Sequence, residues 1–196
     1  MLTMAIDPGT TMSAYVVMNE DYVPLMYGKK PNAEVLDMVK TALIDELVIE
    51  CMEARHIEQG VIGDETYETC IWIGRFIQAA YQRIIAVHRV YRREERSCLI
   101  PSKRNKLPAL PEWAGKSADA QIRAALIQRF AVFDKKNGKG TRENPDVFYG
   151  FAADVWQAYA VGVVHIDRSK GGDADRNRGA DDKRQSGTDG RARSGR

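Results

Sequence analysis

The fold is decided by residues 2–18, which read LTMAIDPGTTMSAYVVM. The apolar run over 2–6 predicts a short strand, and the DPG at 7–9 predicts a turn, because proline and glycine interrupt regular structure. Residues 12–18 are rich in β-branched and aromatic side chains and predict a second strand that returns beside the first. The segment therefore indicates an antiparallel pair whose connecting turn begins with an acid, Asp7.

The rest of the chain predicts a mixed sheet covered by helices on both faces. A third strand is expected over Tyr22–Tyr27, and apolar runs ending at Glu50 and Val90 predict two further strands. Three antiparallel strands followed by alternating helices and strands are typical of an α/β fold with five strands, the later ones added in parallel. The predicted helices begin at Asn32, span residues 66–82, begin at Ser117, and run from about residue 150 to 165.

Composition excludes several classes of protein. No stretch approaches the roughly 18–20 apolar residues of a membrane span, and the first residues lack a secretory signal, so a cytoplasmic location is expected. The three cysteines are widely spaced and do not indicate a disulfide framework. The histidines at 56, 88 and 165 share no metal-ligand spacing, so we expect no structural zinc site.

The C-terminal segment differs from the rest of the chain. Residues 167–196 contain nine Lys or Arg, six Asp or Glu, and six Gly, with alanine as the only apolar type. Such a segment cannot offset its ordering entropy by burial. We therefore expect a folded domain over residues 1–166 and a disordered, charged tail over 167–196.

Three acids stand at the ends of apolar elements. Asp7 ends the first strand, Glu50 ends the fourth, and Asp154 lies at the start of the last helix. If strands one and four are neighbours, Asp7 and Glu50 emerge side by side, and a helix across that edge adds Asp154. Clustered carboxylates suit Mg²⁺, and two such ions can hydrolyse a phosphodiester. Taken singly, each acid has an ordinary explanation as a turn residue, a solvated strand end or a helix-dipole partner.

At these residues the chain resembles the RuvC family of Holliday junction resolvases, particularly its phage-encoded branch. The resemblance rests on IDPGT at 6–10, VIE at 48–50 and AAD at 152–154, with Arg75 and the segment 154–158 pointing to the phage branch. It implies an RNase H-like fold and a homodimer. It also implies a crossover junction endodeoxyribonuclease that depends on Mg²⁺, with Mn²⁺ able to replace it. Asp7, Glu50 and Asp154 then correspond to the catalytic, metal-binding acids.

The chain departs from the bacterial family pattern at one acid and in one loop. The family has a second Asp three residues before the helix Asp, where this chain has Phe151; Glu53 or Asp146 could compensate, or three acids could suffice. The family also has a lysine just before the helix that starts near Ser117. Lys116 is the candidate here, although the loop over 101–115 looks inserted.

A basic segment is the candidate DNA-binding surface. Between Arg89 and Lys106 there are seven basic residues against two acids, and such clusters make most phosphate contacts. A solvated strand edge protected by charge is the alternative. The DNA-binding candidates are Arg92, Arg93, Arg96, Lys103, Arg104, Lys106 and Lys116.

Other functions remain open at this point. The helix over 66–82 is apolar on more than one face, which indicates a dimer surface or deep burial. An RNase H-like nuclease acting on other branched or hybrid substrates, or a non-catalytic DNA-binding relative, would have similar motifs. The DPGTT at 7–11 also resembles the phosphate loop of actin-like ATPases, although 166 residues are too few for their duplicated fold.

Overall fold

The computed structural model describes residues 1–52, 63–100 and 116–185. These residues form five strands and five helices in the order β-β-β-α-β-α-β-α-α-α. The strands are β1 Leu2–Asp7, β2 Met12–Asn19, β3 Pro24–Pro31, β4 Glu46–Cys51 and β5 Ala86–Tyr91. The helices are α1 Asn32–Thr41, α2 Asp64–Gln82, α3 Arg92–Leu99, α4 Ala118–Phe130 and α5 Val155–Gln185.

The strands form one mixed sheet in the order β3-β2-β1-β4-β5. The first three strands pair antiparallel, while β4 pairs parallel to β1 and β5 pairs parallel to β4. The predicted α/β sheet, with three antiparallel strands and two parallel additions, is confirmed. Because β1 and β4 are parallel neighbours, their last residues meet at one edge of the sheet.

Opposite faces of the sheet are covered by different helices. Met4, Ile6, Leu47 and Ile49 pack with α1 and α2 in one fully buried core. The alternate residues of the same strands point to the second face, because side chains alternate along a strand.

Helix α5 packs against the second face through residues before His165. A Cβ atom on Gly162 would meet the Met18 side chain at 2.7 Å and Ala5 Cβ at 3.2 Å, so only glycine lets the helix backbone approach so closely. Phe148 and Phe151 contact the ring of Tyr159 beside it, and all three are fully buried. This packing holds the start of α5 against the sheet.

Three local predictions differ from the structure. Strand β3 runs past Tyr27 to Pro31, and β5 begins two residues after Ile84. Ile84 has a φ of 59°, which ends α2 in a turn and is incompatible with a strand. The basic stretch after β5 forms α3, whose first turn is closed by a hydrogen bond from the Tyr91 backbone N–H to the Glu94 carboxylate at 2.7 Å.

The helix α5 also continues beyond the predicted end of the domain. It ends at Gln185, whereas the sequence predicted an end near His165, and residues 186–196 lie outside the described residues. The chain divides into two units, 1–165 and 166–196. Within the described residues, no helix has the length and apolar character needed to cross a membrane.

Candidate active site

The turn that carries Asp7 is fixed by a buried asparagine. Asn32 was expected to cap α1, but its side chain makes no cap hydrogen bond. Instead its amide donates to Gly9 O at 2.9 Å, and its Oδ1 accepts from Ser13 Oγ at 2.6 Å. The Asn32 backbone N–H also donates to Thr11 O at 2.9 Å. These bonds hold the β1–β2 turn in a single conformation at the end of β1.

Sheet register places three charged side chains in one row. Asp7 pairs with Ala14, and Ala14 pairs with Lys29 of β3. On the other side of β1, Ile6 pairs with Ile49, so Glu50 follows beside Asp7. The Asp7 and Glu50 carboxyl groups lie close enough for each to shift the pKa of the other. The structure therefore brings together the two acids that the sequence placed at neighbouring strand ends.

Asp154 completes the predicted set of acids. It immediately precedes α5, and its carbonyl accepts from the N–H groups of Gln157 and Ala158 at the start of the helix. Its Oδ2 accepts from Lys29 Nζ at 2.5 Å. A small cavity of about 210 Å³ is lined by Asp7, Asp154 and Lys29. Asp7 and Asp154 thus line one cavity with a lysine that the sequence did not indicate, and Glu50 lies beside Asp7.

The surroundings of these carboxyl groups disfavour their ionised forms. Burial raises the pKa of Asp7, and the neighbouring charges of Glu50 and Asp154 raise it further. Burial likewise raises the pKa of Glu50. Arg92 acts in the opposite direction on both groups. Carboxylates that repel one another in a desolvated setting gain from a bound cation, so this donor set fits a divalent metal with oxygen ligands.

Arg92 lies inside this group of acids. Its Nη1 lies 3.8 Å from Glu50 Oε1 and 3.1 Å from Glu95 Oε2. The guanidinium also pairs with Asp119 at the start of α4 and donates to the side chain of Gln157. Its side chain is only 24% exposed. These contacts favour a role in neutralising the acidic site over a direct DNA phosphate contact.

Glu95 is a further acid that the sequence did not single out. It is fully buried on α3, and burial followed by the charge of Glu50 raises its pKa. Its Oε1 has no hydrogen-bond partner among the described residues. Because an unpaired buried carboxylate is costly, Arg92 is essential to the local charge balance.

The three positions considered for a fourth metal-binding acid have different surroundings. Phe151 is buried among aromatic rings, with its centroid 4.6 Å from that of Tyr27 and 5.2 Å from that of Trp156. Burial opposes ionisation of Asp146, but hydrogen bonds from backbone N–H groups outweigh it and lower its pKa to about 2. Its carboxylate thus fixes the loop after α4. Glu53 lies outside the described residues.

A basic cleft adjoins the acids. Lys116, Arg123, Lys135 and Lys136 line it together with Asp154, and its volume is about 760 Å³. The guanidinium of Arg123 lies 4.8 Å from the centroid of the Trp156 ring. Ser117 caps α4 as expected, because its Oγ accepts from the Ala120 N–H at 3.3 Å. The cleft thus presents cations beside the carboxylates.

The other predicted DNA-binding residues are placed as follows. Arg93 and Arg96 are exposed on α3, and Lys116 is exposed at the edge of the basic cleft. Lys103, Arg104 and Lys106 lie outside the described residues, as does the loop over 101–115.

Sequence reasoning missed Lys29, Glu95, Asp119 and Gln157. The position of Glu95 could have been inferred from a helix start just before it. Glu94 lies three residues after Tyr91, which is the spacing of a capping box and indicates that a helix begins there. A helix there puts Glu95 and Leu99 on one face, and both are buried. Lys29 could have been found only by extending β3 past Tyr27. Asp119 and Gln157 enter the site through tertiary packing.

The sheet order and the helices on both faces define an RNase H-like α/β fold. Among solved structures, it is similar to Thermus thermophilus RuvC in complex with a Holliday junction substrate, with a TM-score of 0.58 and 12% sequence identity over 88% of this chain and 96% of that one. A second T. thermophilus RuvC structure gives a TM-score of 0.55 and 14% identity over 88% and 97% of the two chains. The chain therefore has a RuvC-like fold, as its motifs predicted. At the level of sequence, no family model matches it and no curated protein is significantly similar.

Proposed function

We propose that the protein is a structure-selective endodeoxyribonuclease that resolves four-way (Holliday) DNA junctions by metal-dependent phosphodiester hydrolysis. The observation that carries the proposal is the convergence of Asp7, Glu50 and Asp154 on one site of a RuvC-like fold. The basic cleft beside them offers a path for the phosphate backbone.

The acids fit Mg²⁺, with Mn²⁺ able to replace it. Asp7 and Glu50 would hold the metal from the sheet, and Asp154 would hold it from the start of α5. Bound divalent cations would supply Lewis-acid activation of water and of the scissile phosphate. Asp119 pairs with Arg92 in the same neighbourhood and lines the cleft with Asp154, so it is our candidate for the fourth acid in place of Phe151.

The chain's own residues would position the DNA. Lys116 and Lys136 would bind phosphates in the basic cleft, while Arg92 would limit repulsion between the acids and the DNA. Among the described residues we find no element that resembles a sequence-reading module, and phosphate contacts carry no sequence information. Recognition would therefore follow DNA shape.

Cleavage assays on a four-way junction, a flap and an RNA/DNA hybrid, each with Mg²⁺ or EDTA, test the proposal. We expect paired nicks in the junction with Mg²⁺ and none with EDTA. Preferred cleavage of the flap or the hybrid would favour the alternative of a general RNase H-like nuclease. Tight junction binding without any cleavage would indicate a non-catalytic relative. Preferred cleavage of another substrate, or binding without cleavage, would overturn the proposal.

Neutralising the basic cleft should weaken binding to junctions of every sequence alike. In Lys116→Gln/Lys136→Gln, we expect the slope of log affinity against log salt to become shallower by up to about 2, because each lost phosphate contact removes roughly one released counterion. Lys30→Gln/Lys40→Gln is the matched control, because these two lysines pair with Glu34 and Asp37 and line neither the basic cleft nor the cavity beside Asp7. Fluorescence anisotropy across a salt series measures both. An unchanged slope would mean that DNA binds at another surface. The next variant to test would then neutralise Lys103, Arg104 and Lys106 together.

We further propose a homodimer, because a junction has two-fold symmetry and two symmetric nicks need two sites. The candidate interface lies on α2, where Tyr67 and Ile71 are about half exposed and lie one helical turn apart. Ile71 also lines a shallow groove with Leu36 of α1, and such an apolar surface suits a second copy of the chain.

Ile71→Glu should convert the dimer to a monomer, because a charge would be buried at the centre of the interface. Leu25→Glu, at a similarly exposed apolar residue on the edge strand β3, is the control and should remain dimeric. Sedimentation equilibrium at micromolar protein distinguishes one chain from two. A wild-type protein that sediments as one chain, with and without junction, would contradict the proposal.

A further inference from the structure

A second cluster of ligand-type side chains lies on the same sheet face as the acids, toward the opposite end of the strands. Glu46 is the first residue of β4, His88 lies in β5, and His165 lies on α5. Glu46 and Glu50 are four residues apart on one strand, which separates their Cα atoms by about 13 Å. The second cluster is therefore distinct from the candidate active site.

The three side chains converge on one point. One ligand atom from each lies within 4.8 Å of the other two. Nε2 of His165 is 2.8 Å from Glu46 Oε2, and Nε2 of His88 is 3.5 Å from Glu46 Oε1. Ligands of a tetrahedral zinc ion are about 3.4 Å apart, given metal–ligand distances near 2.1 Å. Small side-chain rotations would bring these atoms to that spacing.

Hydrogen bonding within the cluster leaves one group unsatisfied. The side chains of His165 and Glu46 are 7% and 18% exposed, so solvent reaches them poorly. Nε2 of His88 is buried and has no hydrogen-bond partner among the described residues. The two imidazole rings lie 4.2 Å apart between centroids, so they would repel each other if both were protonated. A metal ion would satisfy both nitrogens and the carboxylate at once.

We propose that Glu46, His88 and His165 bind a divalent transition-metal ion, preferentially Zn²⁺ with water as its fourth ligand, at a position separate from the Mg²⁺ site. Two imidazoles and one carboxylate are a zinc ligand set, whereas Mg²⁺ prefers oxygen ligands alone. The ion links β4 and β5 to the part of α5 that packs on the sheet, and so stabilises the helix that Asp154 precedes. Histidine spacing gave no sign of the site, because each ligand comes from a different element.

The test is Co²⁺ binding to the chelator-treated, full-length protein, followed by visible absorption. Cys51, Cys70 and Cys98 are replaced by Ser in every sample, because free thiolates also bind Co²⁺. With excess Mg²⁺ present to occupy the acid site, we expect one equivalent of Co²⁺ per chain, displacement of that Co²⁺ by one equivalent of Zn²⁺, and a higher melting temperature with Zn²⁺.

Two ligand variants and one control decide the outcome. His88→Gln and Glu46→Gln should each weaken Co²⁺ binding by about 100-fold or more, because even groups outside the ligand shell contribute 10–100-fold. Asp7→Asn should leave the Co²⁺ spectrum unchanged. Circular dichroism checks that each variant is folded. Equal Co²⁺ binding by His88→Gln, loss of binding in Asp7→Asn, or no saturable binding by the parent protein would overturn the proposal.

Discussion

Asp7→Asn should reduce cleavage of a four-way junction by orders of magnitude while the protein still folds and binds the junction. Asn keeps the size and turn-forming character of Asp, so the β1–β2 turn held by Asn32 and Ser13 should survive. The change removes one negative charge and one oxygen ligand from the site where Glu50 and Asp154 also lie. Loss of a metal ligand at the reacting centre is the largest single effect that we expect for this protein.

Single-turnover cleavage in Mg²⁺ and gel-shift affinity in EDTA measure the two parts of this prediction. Binding should persist, and should tighten if Asp7 repels the scissile phosphate. Asp37→Asn is the matched control, because Asp37 is an exposed acid on α1 that pairs with Lys40. Near-wild-type cleavage by a folded Asp7→Asn protein would contradict the assignment of the metal site.

The other two acids should behave in the same way. Glu50→Gln and Asp154→Asn each remove one member of the same group, so each should also eliminate most of the cleavage rate. Double variants should be little worse than single ones, because groups that act as a unit are strongly non-additive. Additive losses would mean that the three carboxylates act independently.

The sheet could be predicted from local sequence because its strands are short, apolar and bounded by strong turn signals. Asp7 and Glu50 were predicted to lie side by side if the first and fourth strands paired, and β1 and β4 do pair. The end of α5 was predicted too early, because the apolar periodicity that indicates a helix stops near His165, whereas the helix continues to Gln185.

The surroundings of the acids were less predictable than the acids themselves. In a sequence, Arg92 is one of several basic residues near β5, and net charge alone favours a DNA surface. Only the packing of α3 against α4 and α5 shows that its guanidinium turns inward to Glu95, Asp119 and Gln157. Glu95 was counted against the local positive charge, yet it is fully buried beside that arginine.

This inward position of Arg92 predicts a large effect on stability. Arg92→Met should lower the free energy of unfolding by about 3–5 kcal/mol without metal at a pH above about 9, where the buried acids are ionised, because it leaves Glu50 and the buried Glu95 without their cation. Arg92→Met/Glu95→Gln should recover part of the loss, since the second change removes the unpaired buried charge. Arg96→Met, at an exposed residue on the same helix, is the control and should change stability little.

The loss should also depend on pH with a defined sign. Burial already raises the pKa values of Asp7, Glu50 and Glu95 in the folded protein, and removal of Arg92 raises them further. A carboxyl group whose folded-state pKa is raised favours folding while it is protonated, and that contribution is lost as pH rises through the folded-state pKa. Because the folded-state pKa is about 8 for Asp7 and about 9 for Glu95, urea unfolding in EDTA should show a larger destabilisation by Arg92→Met at about pH 9.5 than at about pH 7.

Junction affinity measured on the same variant separates the two roles open to Arg92. If Arg92 neutralises the acids, Arg92→Met should lose stability, with the loss growing as pH rises. If it contacts phosphate instead, stability should be unchanged and the salt dependence of junction binding should become shallower by roughly one contact. Unchanged stability with a shallower salt dependence would mean that Arg92 belongs to the DNA-binding surface, as the charge distribution of the sequence predicted. Glu95 would then be without a stabilising cation. Because Glu95 is fully buried, its ionised form without a partner is energetically costly.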